Sequence, residues 1–138
     1  MSVGLDLEVV VRRGDFDLDA AVRMEPSEVV AVLGRNGSGK STLLAAVAGH
    51  LRPDTGRIVL DGRVLTDTTS GVQLPPHRRR IGLLAQEPLL FPHLSVLDNV
   101  AFGPLATGSG RRAAREAAHR HLTEVDAVQF AARRPGRL

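Results

Sequence analysis

The sequence predicts an α/β fold built from antiparallel β hairpins, a strand-loop-helix unit and the start of a helical region. Three observations carry that prediction. Residues 16–24 alternate apolar and polar, residues 34–39 form a glycine-rich turn between an apolar run and a helix-forming stretch, and residues 110–124 set alanine, arginine and leucine at helical spacing. At 138 residues the chain has the length of one domain, and its 43% apolar content and mean hydropathy of -0.02 exclude wholesale disorder.

The first hairpin begins at Leu5-Asp6-Leu7-Glu8-Val9-Val10-Val11 and turns at Arg13-Gly14-Asp15. Its return limb places Phe16, Leu18, Ala20, Val22 and Met24 on one face and Asp15, Asp17, Asp19 and Arg23 on the other, the pattern of a half-buried antiparallel strand. Val29 to Leu33 is a short, mostly β-branched apolar run, which predicts a strand covered on both faces. From Lys40 good helix formers continue to Gly49, with Pro53 beyond as a stop. Ile58-Val59-Leu60 meets Asp61-Gly62, a hairpin turn signal, and Val64-Leu65 supplies the return limb.

Pro75 to Arg80 reads as an exposed loop, and Ile81 to Ala85 as a second apolar strand ending at Gln86. Ser95-Val96-Leu97-Asp98 resembles a capping box with Asp in the Glu position and opens the helical third of the chain. Gly103-Pro104 and Thr107 to Gly110 are read as the separators between helices. The domain division expected is 1–94 for the N-terminal part of the core and 95–138 for an incomplete helical subdomain.

Composition excludes several classes. There is no cysteine, so no disulfide framework is available. No apolar run reaches the roughly 20 residues of a membrane-spanning helix, and the N-terminus lacks the basic-then-apolar pattern of a signal peptide, so a cytoplasmic location is the default. Eighteen basic and 15 acidic residues give a net charge of +3. With four Phe and no Tyr or Trp, the basic excess lacks the stacking aromatics of a single-strand reader, and no nucleic-acid partner is expected. The five histidines form no H-E-x-x-H pattern, which leaves zinc without support.

Chemistry concentrates in one loop. Gly34-Arg35-Asn36-Gly37-Ser38-Gly39-Lys40-Ser41 satisfies G-x-x-x-x-G-K-[ST] directly after an apolar run and at the opening of a helix. From this chain's own residue frequencies such a match arises by chance about once in 1,000 sequences. The glycines let successive amides turn toward one concavity, and the helix N-terminus adds the positive end of its dipole. Lys40 offers a mobile charge to the β- and γ-phosphates, Ser41 a hydroxyl to Mg²⁺, and Thr42 a cap or α-phosphate contact. Lys40 is the only lysine beside 17 arginines, at a position where a slim ammonium fits and a broad guanidinium crowds the phosphate. The absence of a second lysine disfavours the N-K-x-D guanine reader of a GTPase. On the loop alone a free-standing small-molecule kinase stays open, with Arg78 to Arg80 as lid arginines, and so does a non-catalytic nucleotide-binding fragment.

The loop GRNGSGKST, the stretch GRIVLDGRVL and the stretch RRRIGLLAQEPLLFPHLSVLDNVAFG resemble the first half of an ABC transporter ATP-binding subunit, most closely the molybdate-type and related anion importers. The resemblance implies the P-loop NTPase core of an ABC nucleotide-binding domain, truncated, with ATP and Mg²⁺ as cofactors. It assigns Gly34 to Thr42 to the phosphates, with Lys40 stabilising transition-state charge, and makes Gln86 the glutamine that reaches Mg²⁺ and the attacking water. Residues 87–95 then lie where a transmembrane permease subunit docks, and a second ATP-binding subunit completes a homodimer in the full-length form. The implied location is cytoplasmic and peripheral on the inner face of the cell membrane. The implied activity is ATP hydrolysis coupled to import of a small solute such as molybdate or a related oxyanion.

The family stacks adenine on an aromatic residue ahead of the loop. Phe16 is the nearest here but shares parity with Leu18 and Val22, which assigns it to the core, and Arg12 or Arg13 stacking on the base is the alternative. The family's signature, its general base and its switch histidine are missing before Leu138. The chain alone is therefore expected to bind nucleotide weakly, to hydrolyse it negligibly, and to expose an apolar edge and a helix face.

Overall fold

The structure is a computed structural model that describes residues 4–87 and 89–137. Pro88, within the longest stretch quoted above, and Leu138 lie outside the described residues. Two compact units are present, Met1–Leu83 and Leu84–Leu138.

In the first unit, β1 (Leu5–Arg13), β2 (Phe16–Met24), β3 (Thr55–Leu60), β4 (Arg63–Asp67) and β5 (Val72–Gln73) form one antiparallel sheet in the order β2-β1-β3-β4-β5. Register follows the alternation of the sequence. Leu7, Val9 and Val11 are buried while Asp6 and Glu8 face solvent, and Leu7 sits opposite both Val22 of β2 and Ile58 of β3. Asp61 and Gly62 both adopt positive φ (49° and 77°), the geometry of the two-residue turn expected between β3 and β4.

Helix α1 (Lys40–Ala48) lies over this sheet, and Leu43 and Ala46 join Leu7, Val9, Ile58 and Leu65 in one apolar cluster. Half-buried Leu18, Ala20 and Val22 pack against the same cluster, so the predicted face of β2 is the inner one. α2 (Pro76–Arg79) is a single turn where an exposed loop was expected, begun by proline at its first position.

Two predicted strands do not form. Val29 to Leu33 and Ile81 to Ala85 form neither strand nor helix, and Val29 (96% exposed), Leu33 (88%) and Leu84 (97%) stand in solvent. The reason is hydrogen bonding. A parallel strand exists only between neighbours that satisfy its amides and carbonyls, and every described ladder belongs to the antiparallel sheet. Leu44 of α1 is also exposed.

The second unit holds α3 (Val96–Ala106), α4 (Arg111–Glu124) and short 3-10 turns at Val128–Phe130 and Pro135–Arg137. Ala101, Ala114 and Ala118 form its buried centre, where small side chains let the two helices approach closely. Ser95 caps α3: its Oγ accepts from the Asp98 amide at 3.1 Å and donates to the Asp98 carboxylate at 2.8 Å. Gly103-Pro104 does not end this helix, contrary to expectation. A proline in the last turn costs one backbone bond, and the chain stays helical to Ala106. No helix among the described residues is long and apolar enough to cross a membrane.

This division of apolar residues into core and open runs has a measurable consequence. Ile58→Ala is expected to destabilise the first unit by about 2–5 kcal/mol, because Ile58 is fully buried under α1. Leu84→Gln is expected to change stability by about 0.5 kcal/mol or less and to raise solubility. Denaturant titration and the concentration at onset of light scattering check the pair.

Candidate functional site

Residues 31–38 run exposed along the surface into the N-terminus of α1. Two glycines shape the turn. Gly37 and Gly39 take φ of 81° and 95°, a region that glycine enters without strain. Gly39 is constrained twice, since a Cβ there would come within 2.8 Å of the Phe16 ring and 3.0 Å of Leu18. Ser38 N–H donates to the Arg35 carbonyl at 3.2 Å, and Leu43 N–H donates to Gly39 at 2.8 Å as the first helical bond of α1.

The amides preceding Leu43 at this helix end have no helical partner by construction. Gly39 gives no side-chain cap, and the first turn of α1 holds no acidic residue. The positive end of the helix dipole is thus left without a counter-charge from its own first turn. Lys40 adds its ammonium to the same place, donating to the carbonyls of Gly34 at 2.7 Å and Arg35 at 2.8 Å. Exposed Ser41 and half-buried Thr42 place two hydroxyl-bearing residues on the same first turn. The donor set of this loop, amides plus ammonium plus hydroxyls with no nearby carboxylate in the first turn, fits a polyphosphate and its Mg²⁺.

The structure therefore brings Gly34, Arg35, Gly39 and Lys40 together in the first unit, with Asn36, Gly37 and Ser38 completing the exposed turn. Phe16 is half-buried with its ring against Gly39, and it pairs in register with Arg13 at the hairpin end. Gln86 is exposed and belongs to the second unit.

Two residues carry structural weight that the sequence did not show. Arg79 is 1% exposed, where the triplet Arg78 to Arg80 had been read as solvated. Its guanidinium donates to the carbonyls of Ala46 and Val47, both at 3.0 Å, to that of Leu74 at 2.8 Å, and to the Thr66 hydroxyl at 2.8 Å. Burial lowers its pKa from the ordinary arginine value, and arginine retains its charge regardless. Three consecutive arginines carry no periodic signal that marks the middle one as buried.

Asn99 is the second. Its Oδ1 accepts from the Phe91 amide at 2.8 Å and its Nδ2 donates to the carbonyls of Phe91 at 3.1 Å and Ser95 at 2.9 Å. The side chain thereby pairs with Phe91 as a neighbouring strand would. Phe91 stacks at 4.5 Å between ring centroids on Phe102, and both rings remain partly exposed beside Leu89 and Leu90.

The profile of the ABC transporter family matches residues 18–138. The molybdenum import ATP-binding protein ModC of Mycobacterium tuberculosis (strain ATCC 25618 / H37Rv) is 54% identical over 138 residues, covering 97% of this chain. The protein of the same name from Rhizobium etli (strain ATCC 51251 / DSM 11541 / JCM 21823 / NBRC 15573 / CFN 42) is 52% identical over 99 residues, covering 72% of this chain and 28% of its own length. The chain spans 37% of the length of the Mycobacterium relative. Among solved structures, the post-hydrolysis dimer of the ATP-binding cassette MJ0796 bound to ADP and Pi superposes with a TM-score of 0.78 at 24% identity, covering 97% of this chain and 62% of that one. That likeness carries the fold, and the profile match over most of the chain carries the lineage: the chain belongs to the ABC transporter family.

Proposed function

We propose that this chain is the nucleotide-binding part of an ABC importer, taking Mg·ATP at residues 34–42 and serving uptake of a small oxyanion of the molybdate type. The carrying observation is the uncapped N-terminus of α1 behind a left-handed Gly39, with the ammonium of Lys40 folded across the same loop. The cargo reading is supported by the names of the two relatives above.

In this reading the amides from Gly37 to Thr42 hold the β- and γ-phosphates, and Lys40 leaves the carbonyls of Gly34 and Arg35 to follow developing charge on the transferred phosphoryl group. Ser41 presents its hydroxyl to Mg²⁺. The ion supplies charge neutralisation between the phosphate oxygens. Gln86 orients water with a side-chain amide, which accepts and donates without adding a charge that competes with phosphate. Phe91 and Phe102, with Leu89 and Leu90, offer an apolar surface to a transmembrane permease subunit, and a second ATP-binding subunit pairs with the full-length protein. The subunit works on the cytoplasmic face of the membrane. The kinase reading loses ground because the burial of Arg79 removes the middle of its lid triplet.

Titration of the labelled chain with Mg·ATP, followed through the amides of residues 34–42, tests the proposal. Lys40→Ala is expected to weaken binding by about tenfold or more, the order of one charge-assisted contact to phosphate, without lowering the melting temperature. Unmoved loop amides in a folded chain overturn the reading. Phosphate release by the unaltered chain is expected to match the Lys40→Ala background, because phosphate cradling alone does not supply the carboxylate that activates water. Asn99→Ala is expected to cost about 1–3 kcal/mol and to abolish hydrogen-exchange protection at the Phe91 amide, since that amide loses its partner while the Phe91 carbonyl keeps the Leu94 amide.

A further inference from the structure

Arg79 is a buried cation that the proposed chemistry does not use. Among the described residues its guanidinium has no carboxylate partner, and all four of its hydrogen bonds go to carbonyls or a hydroxyl. Two of the four acceptors, Ala46 and Val47, are carbonyls of the last turn of α1, the negative end of that helix dipole. The helix is otherwise closed by Gly49 at φ 88°, whose amide donates to Ala45 and Ala46, and by His50, whose amide donates to Ala45. Gly49 also makes room for the arginine, because a Cβ there would stand 2.8 Å from the guanidinium carbon. The other two acceptors lie outside the helix, on Thr66 of β4 and on Leu74, the residue before Pro75-Pro76. A charge buried at this cost fixes one end of a helix to the sheet.

We propose that Arg79 is a positioning residue for nucleotide binding: it ties the C-terminal end of α1 to β4 and Leu74 and so sets the axial position of the amides that α1 presents at its other end. This rests on the assignment of residues 34–42 to the phosphates. α1 has nine residues, about 14 Å of rigid rod, so a shift at Val47 arrives nearly undiminished at Ser41. Sideways grip on the rod is modest, since its buried residues are Leu43, Ala46 and Ala48, two of them alanines. Gly39 at the N-terminal end contributes no side chain to hold it. Four directed hydrogen bonds from a planar fork supply what alanine packing lacks.

The test uses the whole chain, unaltered and as Arg79→Lys, Arg79→Gln, Thr66→Val and Gly49→Ala. Readouts are the amide shifts of Ser41 and Thr42 without nucleotide, and the Kd for Mg·ATP referred to the folded fraction. The Arg79 and Gly49 variants are expected to move both amides and to weaken Mg·ATP about tenfold, with Arg79→Lys intermediate and Thr66→Val about threefold weaker. A purely local structural role lowers melting temperature but leaves the Kd of the folded fraction unchanged, and that result overturns the proposal. Should the Arg79 variants fail to fold, Thr66→Val decides: an unchanged Kd overturns the tether and a weakened one supports it. Absence of Mg·ATP binding by the unaltered chain is a separate failure, which removes the nucleotide reading itself.

Discussion

The first unit is organised by the need to satisfy both ends of one short helix. α1 leaves amides unpaired at Lys40 to Thr42 and carbonyls unpaired at its far end, as any helix does. The two ends are treated in opposite ways. The C-terminal end is closed by a left-handed Gly49, three returning amides and a buried guanidinium. At the N-terminal end the usual devices are missing, with no capping side chain and no acidic residue in the first turn. An end left open to solvent at a surface loop, beside an ammonium, favours an anion. The sheet beneath sets where that end points, through Leu43 and Ala46 packed on Leu7, Val9 and Ile58.

What was legible in the sequence was what local chemistry decides. Parity fixed the inner face of β2, because one side of an antiparallel strand meets the core and the other meets water. Asp61-Gly62 marked its turn because two successive positive φ angles exclude most other pairs. Ser95 and Asp98 marked the start of α3 because their side chains answer helix amides within one turn. The turn before α1 was legible for the same reason, its geometry being written in glycines whose roles are conformational.

What was illegible depends on distant partners. Val29 to Leu33 has the composition of a buried strand, yet composition states only that a strand would be stable if neighbours arrived. Here none of the described strands pairs with it, and apolar side chains remain in water. Ile81 to Ala85 fails in the same way. Arg79 is the converse case: it looks like its neighbours Arg78 and Arg80 in sequence and differs only because a single turn at Pro76 aims it at the end of α1. Asn99 likewise becomes meaningful only once Phe91, eight positions away, is folded back beside it. In the second unit that contact holds an apolar loop in shape with its rings partly exposed.

The division of labour between lysine and arginine follows from the same geometry. The chain uses arginine at 17 of its 18 basic positions, so the one lysine is a choice against the prevailing composition. Half-buried Lys40 opens α1 and holds two carbonyls with a single mobile atom, and in the proposed reading it releases both to follow a moving charge. Arg79 sits in a closed space, must reach four acceptors that do not move, and does so with a rigid fork whose donors point in fixed directions. Exchanging the two residue types would spoil both tasks: a guanidinium at 40 would crowd the concavity, and an ammonium at 79 would leave buried carbonyls unanswered. One cation is placed to travel and the other to stay. In the proposed tether the helix between them makes the fixed cation a condition for the mobile one to work.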